Sequence, residues 1–145
     1  MSNLTFELVT LDGLAHSSEC YEVILPTESG IIAVFPNHAP LVSVSVPGVV
    51  SIRKRATDSD DDLVHFAVDG GVIEINERRV RLLADEADEA DSIDEMQAQA
   101  ALKRARELQA MAKDKVNLAD ATALIERQAA RLKVAEIKRR SRKNH

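Results

Sequence analysis

Apolar and polar residues alternate over short stretches in the first 84 positions of this 145-residue chain. Val42, Val44 and Val46 are separated by serines, and a period of two is typical of a β-strand. Ile31–Phe35 is an uninterrupted apolar run, which predicts a strand covered on both sides. Glycine and proline divide the region at short intervals. Many short strands with turns between them predict an antiparallel β-sandwich.

The pattern changes completely after Ala84. From Asp85 to the end the chain contains no glycine, proline or aromatic residue, so long helices are expected. Apolar residues recur at helical spacing over 98–112 and again over 121–135. The stretch 113–116 separates these two stripes, which predicts two antiparallel helices, the second beginning at Asn117.

The predicted fold class is therefore α+β, with an N-terminal antiparallel β-sandwich over 1–86 and a C-terminal antiparallel α-helical hairpin over 87–145. Ser92 and Glu95 have the spacing of a capping box, so Ser92 is predicted to cap the first helix. The helical stripes are mostly alanine, which buries little apolar area at about 25 cal/mol per Å². We expect the hairpin to be held weakly.

The formal net charge of −5 is unevenly distributed. An acidic block lies where the sandwich ends: Asp85, Glu86, Asp88, Glu89, Asp91, Asp94 and Glu95. A basic block lies at the other end of the hairpin: Arg131, Lys133, Lys138, Arg139, Arg140, Arg142 and Lys143. In a folded hairpin the two blocks attract each other, whereas in an open one the basic end is free to bind an acidic surface. Ordinary helix-dipole bias explains the same distribution without a functional role.

Several kinds of chemistry lack support in the sequence. Cys20 is the only cysteine, so no internal disulfide is expected and a reducing compartment is favoured. The histidines are scattered without the paired spacing of a metal site. Leu63 stands where a calcium loop beginning at Asp58 needs glycine. Gly70-Gly71 does not precede a helix, so no phosphate-binding loop is present. We expect neither a metal site nor catalysis.

The composition also argues against nucleic acid and membrane insertion. The net charge is negative and every aromatic residue lies in the predicted sandwich, unlike a typical nucleic-acid binder. No apolar run approaches the roughly 18 residues of a membrane-spanning helix. The N-terminus lacks the basic start of a signal peptide, so we expect a protein of the cytosol or its margin.

Arg127 and Arg131 lie one helical turn apart on the second predicted helix. Two guanidinium groups on one side of a helix have the geometry that grips phosphate. Asp94 and Arg104 of the first helix could face them across the hairpin. The alternative is salt bridging within the hairpin, which contributes little when exposed.

Four stretches, in order along nearly the whole chain, resemble the epsilon subunit of the F-type ATP synthase. They are 28–41 (ESGIIAVFPNHAPL), 66–75 (FAVDGGVIEI), 80–87 (VRLLADEA) followed by Ile93-Asp94, and 131–136 (RLKVAE). The resemblance implies a non-catalytic rotor subunit that helps to couple proton flow to ATP synthesis. Its sandwich would contact the gamma subunit and the c-subunit ring, with Gly30, Asn37 and His38 at that interface.

The resemblance also implies that the hairpin is a regulatory arm. Opened, it would extend into the catalytic hexamer and restrain ATP hydrolysis. The contact with the catalytic beta subunits would be made by the basic residues Arg139, Arg140, Arg142 and Lys143. The membrane would be reached only through the complex, at the cytoplasmic face of a bacterial plasma membrane.

Asp94, Arg104, Arg127 and Arg131 match the nucleotide-binding positions of the family, but Gln97 stands where those members have arginine. A lost charge-assisted hydrogen bond costs about 1.5–3 kcal/mol, so we expect no tightly bound cofactor and weak ATP binding. Two alternatives stay open. One is an ATP-sensing subunit whose hairpin is locked by nucleotide, and the other is an adaptor that binds anionic partners through 138–143.

Overall fold

The computed structural model describes residues 3–144, apart from the side chain of Asn144. It confirms the predicted fold class, with a sheet of eight strands followed by two helices. The strands are β1 Leu4–Thr10, β2 Gly13–Cys20, β3 Glu22–Thr27, β4 Gly30–Val34, β5 Leu41–Arg53, β6 Val64–Ile75, β7 Arg79–Leu83 and β8 Ala87–Glu89. The helices are α1 Glu95–Met111 and α2 Lys115–Asn144, and single 3-10 turns lie at Asp60–Asp62 and Ala90–Ser92.

The strands follow the order β2-β1-β7-β6-β5-β3-β4, and β8 pairs with β6. All pairs are antiparallel except β1 with β7, which is parallel. Strands from both ends of this order contribute side chains to one core, so the sheet folds over on itself as a sandwich. The fully buried large side chains include Leu4, Phe6, Leu8, Leu25, Ile52, Ile73 and Leu82.

Two glycine and proline signals lie inside long strands rather than between short ones. Pro47-Gly48 belongs to the 13-residue β5, and Gly70-Gly71 belongs to the 12-residue β6. The two strands keep one register from Leu41↔Ile75 to Ile52↔Val64. Gly71 has a φ of +141°, and a Cβ atom there would lie 2.0 Å from the carbonyl oxygen of Leu83. The glycines therefore allow a bend and a close approach of backbones, and they do not end the strand.

The hairpin is folded against the sandwich, with α1 packed on α2 and α2 packed on β5 and β6. A small apolar cluster joins the two parts: Ala67, Ala130 and Val134, with Val49, Ala90 and Ile93 packed around them. Val134 is fully buried there. The contact is small and rich in alanine.

The helix starts differ from the sequence prediction. Asp94, not Ser92, caps α1, because its Oδ1 accepts a hydrogen bond from Gln97 N at 3.1 Å. Ser92 lies in the preceding 3-10 turn and donates to Glu89 O at 2.8 Å. The second helix begins at Lys115, two residues before Asn117, because Asp114 Oδ1 accepts from Asn117 N at 2.7 Å.

Candidate functional site: the charged seam and the outer sheet face

The acidic and basic blocks lie alongside each other in the structure, and we call their contact the charged seam. It contains five ion pairs: Arg127–Glu86, Arg131–Asp88, Lys138–Asp91, Arg142–Asp91 and Arg139–Glu95. The carboxylates come from the strand β8 region, the following turn and the start of α1, and the cations all come from α2. The folded arrangement of the two blocks is therefore the one the structure adopts.

The pairs differ in burial, which decides how much each contributes. Arg131 and Asp88 have side chains that are 20% and 32% exposed, with Arg131 Nε 3.0 Å from Asp88 Oδ2. That approach lacks the alignment of a hydrogen bond, and Arg131 NH1 instead donates to the buried Gln128 Oε1 at 3.1 Å. Arg142 and Asp91 are 73% and 59% exposed. Exposed pairs are worth about 0–1 kcal/mol each and are weakened by salt.

The proposed nucleotide-binding residues have other partners or are exposed in the structure. Arg127 and Arg131 point to the chain's own carboxylates, Glu86 and Asp88. Asp94 caps α1, and Arg104 is exposed on that helix. Within residues 3–144 no ion pair joins Asp94 to Arg127 or Arg131. The two guanidinium groups are thus neutralised from within the chain.

The proposed inhibitory residues at the end of α2 are only partly engaged. Arg139 NH1 lies 2.8 Å from Glu95 Oε1, and Arg142 belongs to the seam through Asp91. Arg140 pairs with Glu136 one turn earlier in the same helix. Lys143 is exposed. Part of this basic surface is therefore masked while the hairpin is folded.

The residues proposed to face the c-subunit ring lie at or beyond the two ends of β4. Gly30 has a φ of +119° and its carbonyl accepts from Thr27 Oγ1 at 2.6 Å. Asn37 has a φ of 67° and donates through its backbone N–H to Glu77 O at 2.8 Å. His38 Nδ1 donates to Ala39 O at 2.6 Å. Gly30 is the first residue of β4, and Asn37 and His38 follow the end of that strand.

An exposed apolar row crosses the outer face of the sheet, and sequence reasoning did not identify it. Direct strand partners place Val44 beside Val72, Val72 beside Leu83, Leu83 beside Val9, and Val9 beside Leu14. Directly opposed residues share a face of a sheet. The exposed fractions are 48% for Val44, 41% for Val72, 38% for Leu83 and 64% for Leu14. Contiguous apolar side chains on a protein surface are uncommon and are typical of interaction sites.

A charged row runs beside the apolar row. Glu74 lies opposite Arg81, and Arg81 lies opposite Glu7. Arg81 Nε is 3.0 Å from Glu7 Oε2, and Arg79 Nε is 3.5 Å from Glu7 Oε1. A partner that covers the apolar row therefore meets a polar rim, as in typical interfaces.

Three titratable side chains of the sandwich, His16, Cys20 and His65, are at least partly buried. Burial lowers the pKa of His16 and of His65, and burial raises the pKa of the Cys20 thiol to about 11. His65 Nδ1 is hydrogen-bonded to Ser51 Oγ at 2.8 Å. In the described part of the chain no His, Cys, Asp or Glu cluster could hold a metal ion. No described helix is long and apolar enough to span a bilayer.

Residues 3–90 match the family model of the ATP synthase delta/epsilon chain β-sandwich domain, which defines the class of the sandwich. The ATP synthase epsilon chain of Bordetella petrii is 34% identical over 145 residues and is aligned along all of both chains. That of Gloeobacter violaceus is 33% identical over 132 residues, covering 91% of this chain and 96% of the relative. This chain belongs to the ATP synthase epsilon chain family, which confirms the resemblance found in the sequence.

Solved structures share the fold. A chain of the Euglena gracilis mitochondrial ATP synthase, solved with OSCP, F1 and c-ring, superposes with a TM-score of 0.77 at 18% identity, covering 94% of this chain and 82% of that one. A chain of the Tetrahymena thermophila mitochondrial ATP synthase central stalk and c-ring gives 0.53 at 14% identity, covering 93% and 96%. At these identities the likeness concerns the fold alone.

Proposed function

We propose that this chain is a non-catalytic central-stalk subunit that couples proton flow to ATP synthesis and restrains ATP hydrolysis through its hairpin. The observation that carries this proposal is the charged seam. The hairpin is attached by one small alanine-rich cluster and by ion pairs that are mostly half-exposed. Such an attachment is strong enough to form and weak enough to reverse, as a regulatory arm requires.

The sandwich and the hairpin act as separate units in this proposal, the sandwich as the contact domain and the hairpin as the arm. The gamma subunit is the partner we assign to the apolar row, because a permanent partner is needed to remove Val44, Val72 and Leu83 from water. The turns at Gly30 and at Asn37–His38 are assigned to the c-subunit ring. The catalytic beta subunits take the basic end of α2 when the hairpin opens, since an acidic surface can replace the seam carboxylates.

The proposed location follows from these partners. The chain reaches the membrane only through the complex, at the cytoplasmic face of a bacterial plasma membrane. Nucleic acid is not a proposed ligand, because the basic residues of α2 are largely matched by carboxylates of the same chain.

An ATP-sensing role is the second candidate, and one observation favours it. Arg127 and Arg131 lie side by side on α2 at the edge of the seam. However, Glu86 and Asp88 already pair with these arginines, and Gln97 supplies no charge to a phosphate. Nucleotide must displace the carboxylates to bind, so we propose that ATP binds weakly and that the hairpin folds without it.

Removal of the hairpin tests the proposal. We expect a chain that ends after Ser92, which retains β8 and its pairing with β6, to fold and to bind gamma. Reconstituted complexes with this truncated chain should hydrolyse ATP faster than complexes with the full chain and should synthesise ATP at a similar rate. Equal hydrolysis rates across a range of salt concentrations and proton gradients would contradict the inhibitory role.

A further inference from the structure

The end of α2 extends beyond the cover of α1. The second helix has 30 residues and the first has 17, so α2 is 13 residues longer. At 1.5 Å per residue this excess is about 20 Å. The two helices run antiparallel from a short join, so the excess lies at the C-terminal end of α2. Val134 is the last buried residue of that helix, and the described residues after it are half-buried or exposed.

This end of α2 is held by polar contacts on two sides. Ser141 Oγ donates to Asp61 O at 2.7 Å, which attaches the helix to the turn between β5 and β6. Lys138 and Arg142 both pair with Asp91, in the 3-10 turn that follows β8. A cavity of about 370 Å³, lined in part by Leu63, stays open between the two contacts. The helix end therefore rests on points of hydrogen bonding rather than on a packed apolar surface.

The turn that carries Asp61 is fixed independently of the helix. Arg53, at the end of β5, donates to the side chains of Glu22 and Asp60 and to the carbonyl of Asp58, each at 2.7 Å. These three charge-assisted bonds from the Arg53 guanidinium hold β3, β5 and the turn in one geometry. The Asp61 carbonyl is thus a preorganised acceptor, and little ordering is lost when the helix end docks on it.

The charges of the two parts are complementary. The turn at residues 54–63 has an acidic excess, with four aspartates against Lys54 and Arg55. Asp58 pairs with Arg55 and Asp60 with Arg53, and the other two aspartates are Asp61 and Asp62. The end of α2 contains Arg139, Arg140, Arg142 and Lys143. Attraction between such exposed groups decays over a Debye length of about 8 Å at physiological salt. The turn therefore guides the helix end at short range, and salt weakens the contact.

We propose that the turn at residues 54–63 is a latch for the end of α2, and that its release is the first step of hairpin opening. This inference rests on the proposed function of the hairpin as an arm, and it assigns the regulation of that arm to a specific contact. The end opens first because no described residue after Val134 is fully buried and Ser141, Lys138 and Arg142 attach it through hydrogen bonds and ion pairs, whereas the preceding turns bury Ala130 and Val134 against the sandwich. Opening then exposes the basic end while the seam is still partly closed.

Amide hydrogen exchange of the full chain tests the latch. The variants are Ser141→Ala and Asp91→Asn. The matched control is Ser17→Ala, which makes the same change at an exposed position of β2. Loss of one hydrogen bond should speed exchange of amides 135–143 about two- to tenfold in Ser141→Ala. Alanine is the better helix former, so faster exchange cannot come from lost helix propensity. Asp91→Asn should give the same local effect, and amides 121–134 should change less in both variants.

Two results would overturn the latch. One is exchange of 135–143 in Ser141→Ala equal to that of Ser17→Ala, whatever Asp91→Asn does, because Ser141, unlike Asp91, contacts the turn. The other is an equal rise over 121–134, which would mean that α2 opens as one unit. Hydrolysis is not measured here, so the two proposals can fail separately. If exchange is unchanged but truncation still relieves the restraint on hydrolysis, the latch proposal alone is refuted. If exchange at the helix end is faster but truncation has no effect on hydrolysis, the proposal that the hairpin is a regulatory arm is refuted alone.

Discussion

Val134→Ala should weaken the attachment of the hairpin without weakening the sandwich. Val134 is fully buried in the small cluster with Ala67 and Ala130, and it is the largest side chain of the three. Removing two methyl groups costs about 0.8 kcal/mol each in transfer free energy, and the cavity left behind brings the total to about 1.5–2.5 kcal/mol. The loss falls on the folded hairpin alone, so the population of the open hairpin should rise roughly ten- to sixtyfold.

The matched control is Val80→Ala, which makes the same change at a fully buried position of β7 in the sandwich core. Hydrogen exchange resolved along the chain distinguishes the two sites. We expect Val134→Ala to speed exchange over 115–144 and to leave β1 and β7 unchanged. Val80→Ala should lower the melting temperature of the sandwich. If both variants instead lower one common transition by similar amounts, the hairpin is part of the core and the separable-arm interpretation fails.

Three further outcomes are expected. Burial lowers the pKa of His65, so below about pH 6.5 the unfolded state binds more protons than the folded state. The free energy of unfolding should therefore fall as the pH drops below that value, and it should fall less steeply in His65→Gln. Calorimetry should find weak ATP binding, tightened by Gln97→Arg and abolished by Arg131→Ala, whereas tight wild-type binding would favour the sensor. Val72→Lys should weaken binding to gamma, and the same change at the exposed hairpin residue Leu118 should not.

The fold class could be predicted because it depends on composition. Loss of glycine and proline after residue 84 indicates helices, and short apolar stretches divided by turns before it indicate strands. Which face of a strand is buried in the core could not be predicted from composition. The valines at 42 and 44 alternate with serine, yet they are exposed, and Ser45 is the buried residue. An alternating pattern gives the period of a strand but not which face meets the core.

Contacts between distant parts of the chain could not be predicted from the sequence either. Attraction of the two charge blocks was one of the stated alternatives, but the pairing of Arg131 with Asp88 depends on the position of β8 beside β6. The latch likewise depends on a backbone carbonyl, that of Asp61, which has no side-chain signal. The pair Gly70-Gly71 is compatible with two structures, because glycine is favoured both in a turn and where two strand backbones approach closely.

The central claim is that the hairpin leaves the sandwich when hydrolysis is restrained, and a distance measurement in the assembled complex tests it most directly. Val46→Cys and Lys133→Cys place two spin labels across one groove between β5 and α2. Cys20 is buried, with a thiol pKa raised to about 11, and should stay unlabelled. We predict a short distance in the isolated chain and a long one in the complex inhibited for hydrolysis. A short distance retained in the inhibited complex would contradict the account.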